Sequence, residues 1–193
     1  MIEFREASKT YLNKTILDKI NLKINDGDFI LLIGENGSGK STMIKIISGL
    51  IKANNKNMVM HNECNAYLPE KFSLPRNINT KDFIKFLEET FNTDLSYYIR
   101  YLIIPNKKIG ELSKGNLQKL GLISLIASKL DTLILDEPTE GMDSEVKKKY
   151  LELIKILNKE GKTIIISTHN PKDYAKFNLR KIYVKGGNIS EDI

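Results

Sequence analysis

The sequence has little of several features that would assign a protein to a class. Its 193 residues contain a single cysteine, Cys64, so neither a disulfide framework nor a cysteine metal site can form within one chain. No stretch approaches the roughly 18 apolar residues that cross a bilayer. The N-terminus lacks a basic region followed by an apolar run, so we expect no signal peptide. These absences favour a reducing compartment and, if the protein serves a membrane, attachment through a partner that spans it.

Positive charge is present but is not concentrated in one segment. The formal net charge is +6 and comes almost entirely from lysine, since the 193 residues include only four arginines. The longest like-charge run, Lys147-Lys148-Lys149, is short for an arm that binds nucleic acid. Such a charge suits nucleic acid or an anionic membrane surface, but also a solvated lysine-rich face. We favour the solvated face and expect no nucleic-acid partner.

The order of apolar patterns predicts an α/β protein. Hydrophobic residues make up 41% of the chain, which is ordinary for a globular domain. Alternation over 16–24 predicts a half-buried strand, and continuous apolar runs predict strands covered on both faces at 29–33, 132–135 and 163–167. Helices are predicted at 40–50, 80–91, 114–129 and 144–158, with Thr80 as the N-cap of the second, and a short hairpin within 52–66. Alternating strands and helices imply a parallel sheet covered by helices, whereas the strands within 2–24 look antiparallel.

One glycine-rich segment, here called the phosphate loop, carries the strongest functional signal. Residues 34–41 match G-x-x-x-x-G-K-[ST] and stand between a predicted buried strand and a predicted helix. Glycines let successive N–H groups face phosphate oxygens, and the helix N-terminus points at the same place. Lys40 would reach the β- and γ-phosphates, and the Ser41 hydroxyl would hold Mg²⁺. A glycine turn with an unrelated lysine is the alternative. The predicted nucleotide-binding residues are Gly34, Glu35, Asn36, Gly37, Ser38, Gly39, Lys40, Ser41 and Thr42.

A second acidic signal follows the apolar run at 133–135. Asp136 and Glu137 end this predicted strand, and the carboxyl ends of parallel strands open onto the ligand crevice. Asp136 would therefore lie beside the Mg²⁺ that Ser41 holds, and Glu137 would reach the attacking water. Alone, such a run means only a strand edge. Together with the phosphate loop, it predicts a nucleotide-hydrolysing site.

Several motifs in this order resemble those of the ABC ATPases over essentially the whole chain. The quoted segments are Asp136-Glu137-Pro138-Thr139, which looks like Walker B; Leu112-Ser113-Lys114-Gly115-Asn116, which resembles the LSGGQ signature; Gly141-Met142-Asp143, which resembles the D-loop; Ser167-Thr168-His169, which resembles the switch histidine segment; and Tyr67-Leu68-Pro69-Glu70, which resembles the Q-loop. Tyr11 lies where the family carries an aromatic residue that stacks on adenine.

The resemblance implies an ATPase that uses ATP and Mg²⁺. Glu137 would be the catalytic base, and His169 would bond the γ-phosphate. Ser113, Gly115 and Asn116, with Asp143, would complete the site across a head-to-tail dimer of two nucleotide-binding subunits. The implied fold is one domain, 1–193: a P-loop NTPase core with a small antiparallel β lobe (about 1–70 and 125–193) and an inserted helical lobe (about 71–124). The implied partners are integral membrane transporter subunits, which would hold the protein at the cytoplasmic, inner face of the cell membrane.

The sequence departs from the family pattern at three places. Lys114 replaces the first glycine of the signature pair and Asn116 the glutamine, so Lys114 adds charge near the phosphate or points to solvent. The stretch before Pro69 is short, so the β lobe should be trimmed. Glu70 replaces the Q-loop glutamine; its carboxylate can ligate Mg²⁺ but donates no hydrogen bond. Some ABC subunits of peptide-antibiotic export or self-protection resemble this sequence in having glutamate there, which points to an exporter.

Simpler alternatives stand beside each of these roles. Ser113 could be an ordinary helix cap, His169 a structural histidine and Tyr11 a packed edge residue, and we interpret His61 as surface. A membrane partner should dock beside Glu70, near aromatic and aliphatic side chains that could equally form the helical lobe's own core: Phe72, Leu74, Phe83 and Phe86. The rival functions are a soluble ABC ATPase acting on DNA or ribosomes and an assembly ATPase with a soluble scaffold.

Overall fold

Two β-sheets organise the chain in a computed structural model that describes residues 1–54, 58–60 and 64–191. The smaller sheet has the order β2–β1–β4, and both pairings are antiparallel, as predicted for 2–24. Its strands are β1 (Ile2–Tyr11), β2 (Lys14–Ile24) and β4 (Met58–Met60). In the described part of 52–66, β4 pairs with β1 and not within a local hairpin, so the predicted hairpin is not what these residues form. His61 lies outside the described residues.

The larger sheet is parallel except at one edge. Its order is β5–β6–β7–β3–β8–β9, and only β9 runs antiparallel to its neighbour. Its strands are β3 (Phe29–Ile33), β5 (Ala66–Leu68), β6 (Thr132–Asp136), β7 (Thr163–Thr168), β8 (Arg180–Lys185) and β9 (Asn188–Glu191). Every residue of β3, β6 and β7 is buried, as continuous apolar runs require of strands covered on both faces. The predicted α/β class with a parallel sheet is confirmed.

Five helices accompany the sheets in the described residues. They are α1 (Lys40–Ile47), α2 (Thr80–Phe91), α3 (Ser96–Leu102), α4 (Lys114–Ala127) and α5 (Ser144–Lys159). Helix α1 ends earlier than predicted because Gly49, at φ 77°, turns the chain just after the cap residue Ser48. The sequence interpretation missed α3. Helix α2 has the predicted bounds, but its predicted N-cap is wrong: Asn79 is the cap residue, and Thr80 is buried with its hydroxyl donating to the Pro105 carbonyl at 2.7 Å.

Each face of the larger sheet has its own core. Along β3, Leu31 packs with helices α2–α5, whereas Ile30 and Leu32 pack with α1 and the smaller sheet, because successive strand side chains point to opposite faces. Helices α2–α4 lie in the chain between β5 and β6, which pair directly. The segment is therefore an insertion on one face of the sheet. The strands' carboxyl ends remain free to form a site.

The aromatic residues proposed for partner docking divide into two groups. Phe83 is buried, and Phe72 and Leu74 are partly buried against the same core. Phe86, three residues further along α2, is 58% exposed. The first group therefore serves the inserted helices' own core, and only Phe86 remains as an exposed apolar contact. Within the described ranges, no helix combines the length and apolar character needed to cross a bilayer.

Candidate nucleotide-binding site

The phosphate loop connects β3 to α1, as the sequence predicts. Gly37 and Gly39 have φ values of 82° and 112°, a region that side chains rarely adopt. Lys40 is buried, and its ammonium group donates to the carbonyls of Gly34 at 2.6 Å and Glu35 at 3.1 Å. The loop thus curls around the amine of Lys40, which is held in place by the loop's own backbone.

Donors of this loop are left without protein acceptors. The Ser38 hydroxyl is buried and has no hydrogen-bond partner. Helix α1 follows the cap residue Gly39, which has no side chain to cap it, and its first turn has no acidic residue. The first N–H groups of the helix, including those of Ser41 and Thr42, therefore lack intrahelical acceptors. A cavity of about 400 Å³ lies against 33–38 and 183–186, bringing the exposed Glu35, Asn36 and Gly37 to one surface. These observations fit an anionic phosphate ligand.

Asp136 ends β6 in a polar pocket. Its carboxylate is buried, accepts a hydrogen bond from the Ser167 hydroxyl and lies 3.5 Å from the Tyr67 hydroxyl. Burial, with the charge of Asp136 next, raises the pKa of Tyr67, so this phenol stays a donor. Ser167 and Tyr67 lie within the switch-histidine and Q-loop motifs, but the sequence predicted no role for either residue. Their placement on β7 and β5, the strands on either side of β6, shows that they orient Asp136.

Glu137 and His169 meet directly. Nδ1 of His169 lies 3.0 Å from Oε1 of Glu137, whose side chain is only 12% exposed. Glu137 adopts a left-handed backbone (φ 46°), and its N–H donates to Ser167. Strained backbone of this kind concentrates at functional sites. The N–H of Gly34 donates to the Thr168 carbonyl at 3.4 Å, so the end of β7, directly before His169, is bonded to the phosphate loop.

Glu70 lies against a residue that the sequence interpretation missed. Its carboxyl is within hydrogen-bond reach of Glu140, and its carbonyl accepts from Gln118 at 3.3 Å. The sequence predicts that Asp136 and Glu70 ligate one Mg²⁺, with Glu137 nearby. In the described part of the chain, no three His, Cys, Asp or Glu side chains form a group that could hold a metal ion. Glu140 lies between the Walker B segment (136–139) and the D-loop segment (141–143), and no sequence pattern identifies it as a site residue.

The signature segment (112–116) has its helix cap and its charged side chain paired within the subunit. Ser113 caps α4, accepting from the Asn116 N–H at 3.3 Å, and the Asn116 side chain accepts from Lys119 at 3.2 Å. The cap predicted as the simpler alternative for Ser113 is therefore present. Gly115 is buried, and a Cβ there would lie 3.4 Å from the Val146 side chain of α5, an ordinary packing distance.

Lys114 is partly exposed to solvent, but its ammonium group is paired within the subunit. Its ammonium group lies 2.7 Å from the Glu140 carboxylate, and this hydrogen bond is the main reason that the pKa of Glu140 is lowered. Its stem covers Gly141, whose φ of 73° suits glycine. The Asp143 side chain caps α5 through the Val146 N–H at 2.8 Å. Signature and D-loop segments are thus joined within one subunit.

Tyr11 lies apart from these groups. It ends β1, is 45% exposed, and has the Lys9 ammonium 5.1 Å from its ring centroid. It is absent from the cavity beside the phosphate loop. Its exposed ring leaves room for a flat ligand, so adenine stacking stays a prediction.

The sequence and structure are similar to those of known ATP-driven cassettes. A family model described as ABC transporter matches residues 17–140. An uncharacterized ABC transporter ATP-binding protein of Methanocaldococcus jannaschii is 33% identical over 96% of this chain and 74% of its own length. A spermidine/putrescine import ATP-binding protein, PotA of Pasteurella multocida, is 26% identical, and the chain spans only 58% of its length.

Two solved structures of one cassette, MJ0796, superpose over the whole chain. Its dimeric form has a TM-score of 0.85 at 26% identity, covering 100% of this chain and 98% of that one. The post-hydrolysis dimer bound to ADP and phosphate has a TM-score of 0.84 at 25% identity, again covering 100% and 98%. The predicted P-loop fold with a β lobe and inserted helices is confirmed.

Proposed function

The chain belongs to the ABC transporter family and is an ATP-hydrolysing subunit, and we propose that it powers a membrane transporter, in the direction of export. The observation that carries the catalytic part is the 3.0 Å contact between Glu137 and His169 at the carboxyl ends of β6 and β7. A base oriented by a histidine, attached through Gly34 to the phosphate loop, suits attack of water on a γ-phosphate.

The chain's own residues divide the work. Lys40 and the N–H groups of 34–42 would bind the phosphates, Tyr11 would stack on adenine, and Glu137 would take the proton of the attacking water. His169 would hold Glu137 and the γ-phosphate in register. Catalysis would come from positioning and fixed charge.

The oxygen donors of Asp136 and Ser41 fit Mg²⁺, which prefers carboxylate and hydroxyl ligands. When bound, Mg²⁺ would neutralise charge on the β- and γ-phosphates. Ser167 and Tyr67 would orient Asp136 for this purpose, since both reach its carboxylate. Glu70 would complete the metal site only by leaving Glu140, which it faces here.

We propose a head-to-tail pair of subunits as the active form. Ser113, Gly115, Asn116 and Asp143 would then face the ATP of the other subunit. The dimeric cassette structures support the pairing in general terms. In the single subunit, the side-chain oxygens of Ser113 and Asp143 already accept hydrogen bonds as helix caps. These segments would therefore contact the nucleotide of the other subunit through N–H groups and hydroxyls.

A membrane partner is the second part of the proposal. We divide the single domain into a core with β lobe (about 1–70 and 125–193) and a helical lobe (about 71–124). The partner would dock beside Glu70 at the exposed Phe86, which places the protein at the inner face of the membrane. The PotA relative is an import protein, so export rests on the residue Glu70 alone. No nucleic-acid partner is expected.

The ATPase rate at rising protein concentration tests the shared site. We expect the rate per molecule to increase with concentration until dimers saturate. A constant rate per molecule, with the protein shown monomeric throughout, would remove the paired-subunit model. Purification from detergent extracts then separates transport from the soluble rivals: a multi-spanning protein retained by wild type and lost with Phe86→Ser supports transport, and a soluble scaffold or ribosomal partner opposes it.

A further inference from the structure

A lysine-lined groove lies away from the nucleotide site. It runs between α5 and the 3-10 turn Pro171–Tyr174 with the residues just after it, and its volume is about 590 Å³. Leu151 and Phe177 give it an apolar floor. Its cationic lining is Lys147, Lys148, Lys155, Lys172 and Lys176. We call this the lysine groove.

The two carboxylates in the lysine groove are already engaged. Asp173 accepts from Lys147 at 2.7 Å and from the Thr139 hydroxyl at 3.4 Å. Glu152 accepts from the Tyr101 hydroxyl at 3.3 Å. Lys155 stands over the Phe177 ring at 5.7 Å. In the part of the chain described, no ion pair involves the remaining three lysines, which are all exposed: Lys148, Lys172 and Lys176. Five lysines against two carboxylates leave the groove with an excess of positive charge.

We propose that the lysine groove docks an acidic segment of a protein partner. Spaced ammonium groups above an apolar floor match a peptide that alternates carboxylates with apolar side chains. The inference concerns binding at a separate surface and does not rest on the transport role.

Two other anionic classes suit this groove less well. Single-stranded nucleic acid needs open aromatic faces and favours arginine, but Phe177 packs on Phe29 and carries Lys155 on its ring, and no arginine lines the groove. A lipid surface needs a flat or convex basic face, and this one is concave.

The groove is linked to the segments that carry Glu137 and His169 through Asp173. Asp173 lies four positions after His169 and is bonded to Thr139, two positions after Glu137. Ser144, at the other end of the groove, directly follows Asp143. A carboxylate entering the groove would compete with Asp173 for Lys147. Binding of an acidic segment in the lysine groove should therefore also alter the ATPase rate.

A fluorescein-labelled oligoglutamate peptide interleaved with leucine is the probe. Its fluorescence anisotropy should rise with added protein, and the affinity should fall as salt increases. Lys148→Glu with Lys176→Glu should weaken binding by about tenfold or more. The matched control is Lys23→Glu with Lys81→Glu, which makes the same charge change at exposed lysines on β2 and α2 and should leave most of the affinity.

Several results would overturn the proposal. Equal weakening in the two double variants would mean general charge attraction, and absence of binding would remove the site. Tighter groove-dependent binding of oligouridylate, or of phosphatidylglycerol vesicles, would assign the surface to another class of partner. Thermal melting checks that the variants fold, and Lys148→Gln with Lys176→Gln provides a milder pair. Saturating peptide should change the ATPase rate of wild type but not of the groove variant.

Discussion

The phosphate loop and the signature segment are both predicted to meet phosphate, yet the structure leaves them in opposite states. The phosphate loop has a buried hydroxyl without a partner, on Ser38, and an uncapped helix N-terminus. The signature segment has its cap filled by Ser113 and its charge paired, Lys114 with Glu140. The phosphate loop thus has hydrogen-bond donors without protein acceptors, whereas the signature segment has its helix cap and its charge paired within the subunit.

The difference indicates an order of events. Buried donors without acceptors are costly, so a phosphate entering the loop completes bonds that the subunit itself cannot make. The signature gains less, because a ligand there has to compete with existing bonds. A single subunit should therefore bind nucleotide through the phosphate loop alone, and the signature should add its contribution only when a second subunit presents ATP.

The largest effect should come from Glu137→Gln. The glutamine keeps the shape but cannot accept the water's proton, so hydrolysis should fall by roughly 10²- to 10⁴-fold while ATP binding to the loop persists. ATP should then trap a dimer, visible by size-exclusion chromatography. Glu145→Gln, on the exposed start of α5, is the control and should behave as wild type. Near wild-type phosphate release by Glu137→Gln would refute the assignment of the base.

A smaller effect is expected from Glu70→Gln. If Glu70 reaches the metal during turnover, removing its charge should leave the subunit active but weaken its apparent Mg²⁺ affinity by roughly tenfold. The measurement is a magnesium titration of ATPase activity at fixed total ATP, with Glu111→Gln as control. Superimposed curves would mean that Glu70 acts only through its neighbour Glu140 and is not a metal ligand.

The smallest effect concerns the Lys114–Glu140 pair. Both side chains are nearly half exposed, at 45% and 43%, and such pairs contribute about 0.2–1 kcal/mol. Lys114→Glu should lower the ATPase rate by at most about fivefold, and adding Glu140→Lys should restore it if the pair acts within one subunit. A further loss of ATPase activity in the double variant, Lys114→Glu with Glu140→Lys, would instead indicate that Lys114 contacts the phosphate bound by the other subunit.

The sequence predicted the strands and helices that have strong local patterns better than it predicted the tertiary contacts between them. The strand 29–33 and the helix 80–91 have the predicted bounds, because a continuous apolar run determines the first and an amphipathic pattern the second. Helix α3, only seven residues with three tyrosines, has little local signal. It is held by tertiary contacts such as the Tyr101 hydroxyl on Glu152, which no local pattern encodes.

Site residues follow the same division. Glu137 and His169 were each predicted at the γ-phosphate, Glu137 from its place at a strand end and His169 from the family resemblance, but their direct contact at 3.0 Å was not predicted. Glu140 was missed because its partners are 26 residues away, at Lys114, and on another loop, at Glu70. Contacts between surface charges that are distant in the sequence depend on how the inserted helices pack. No single motif predicts that packing.

We expect one catalytic site to need the phosphate loop of one subunit and the signature segment of another, and a mixture of two inactive variants can show whether it does. Lys40→Ala removes the phosphate contact, and Ser113→Arg blocks the signature. Each variant alone should be inactive. In randomly assorted dimers half the pairs are mixed, and each mixed pair has one intact site, so the mixture should recover about a quarter of wild-type ATPase activity. A mixture no more active than the mean of its two components would contradict the shared site.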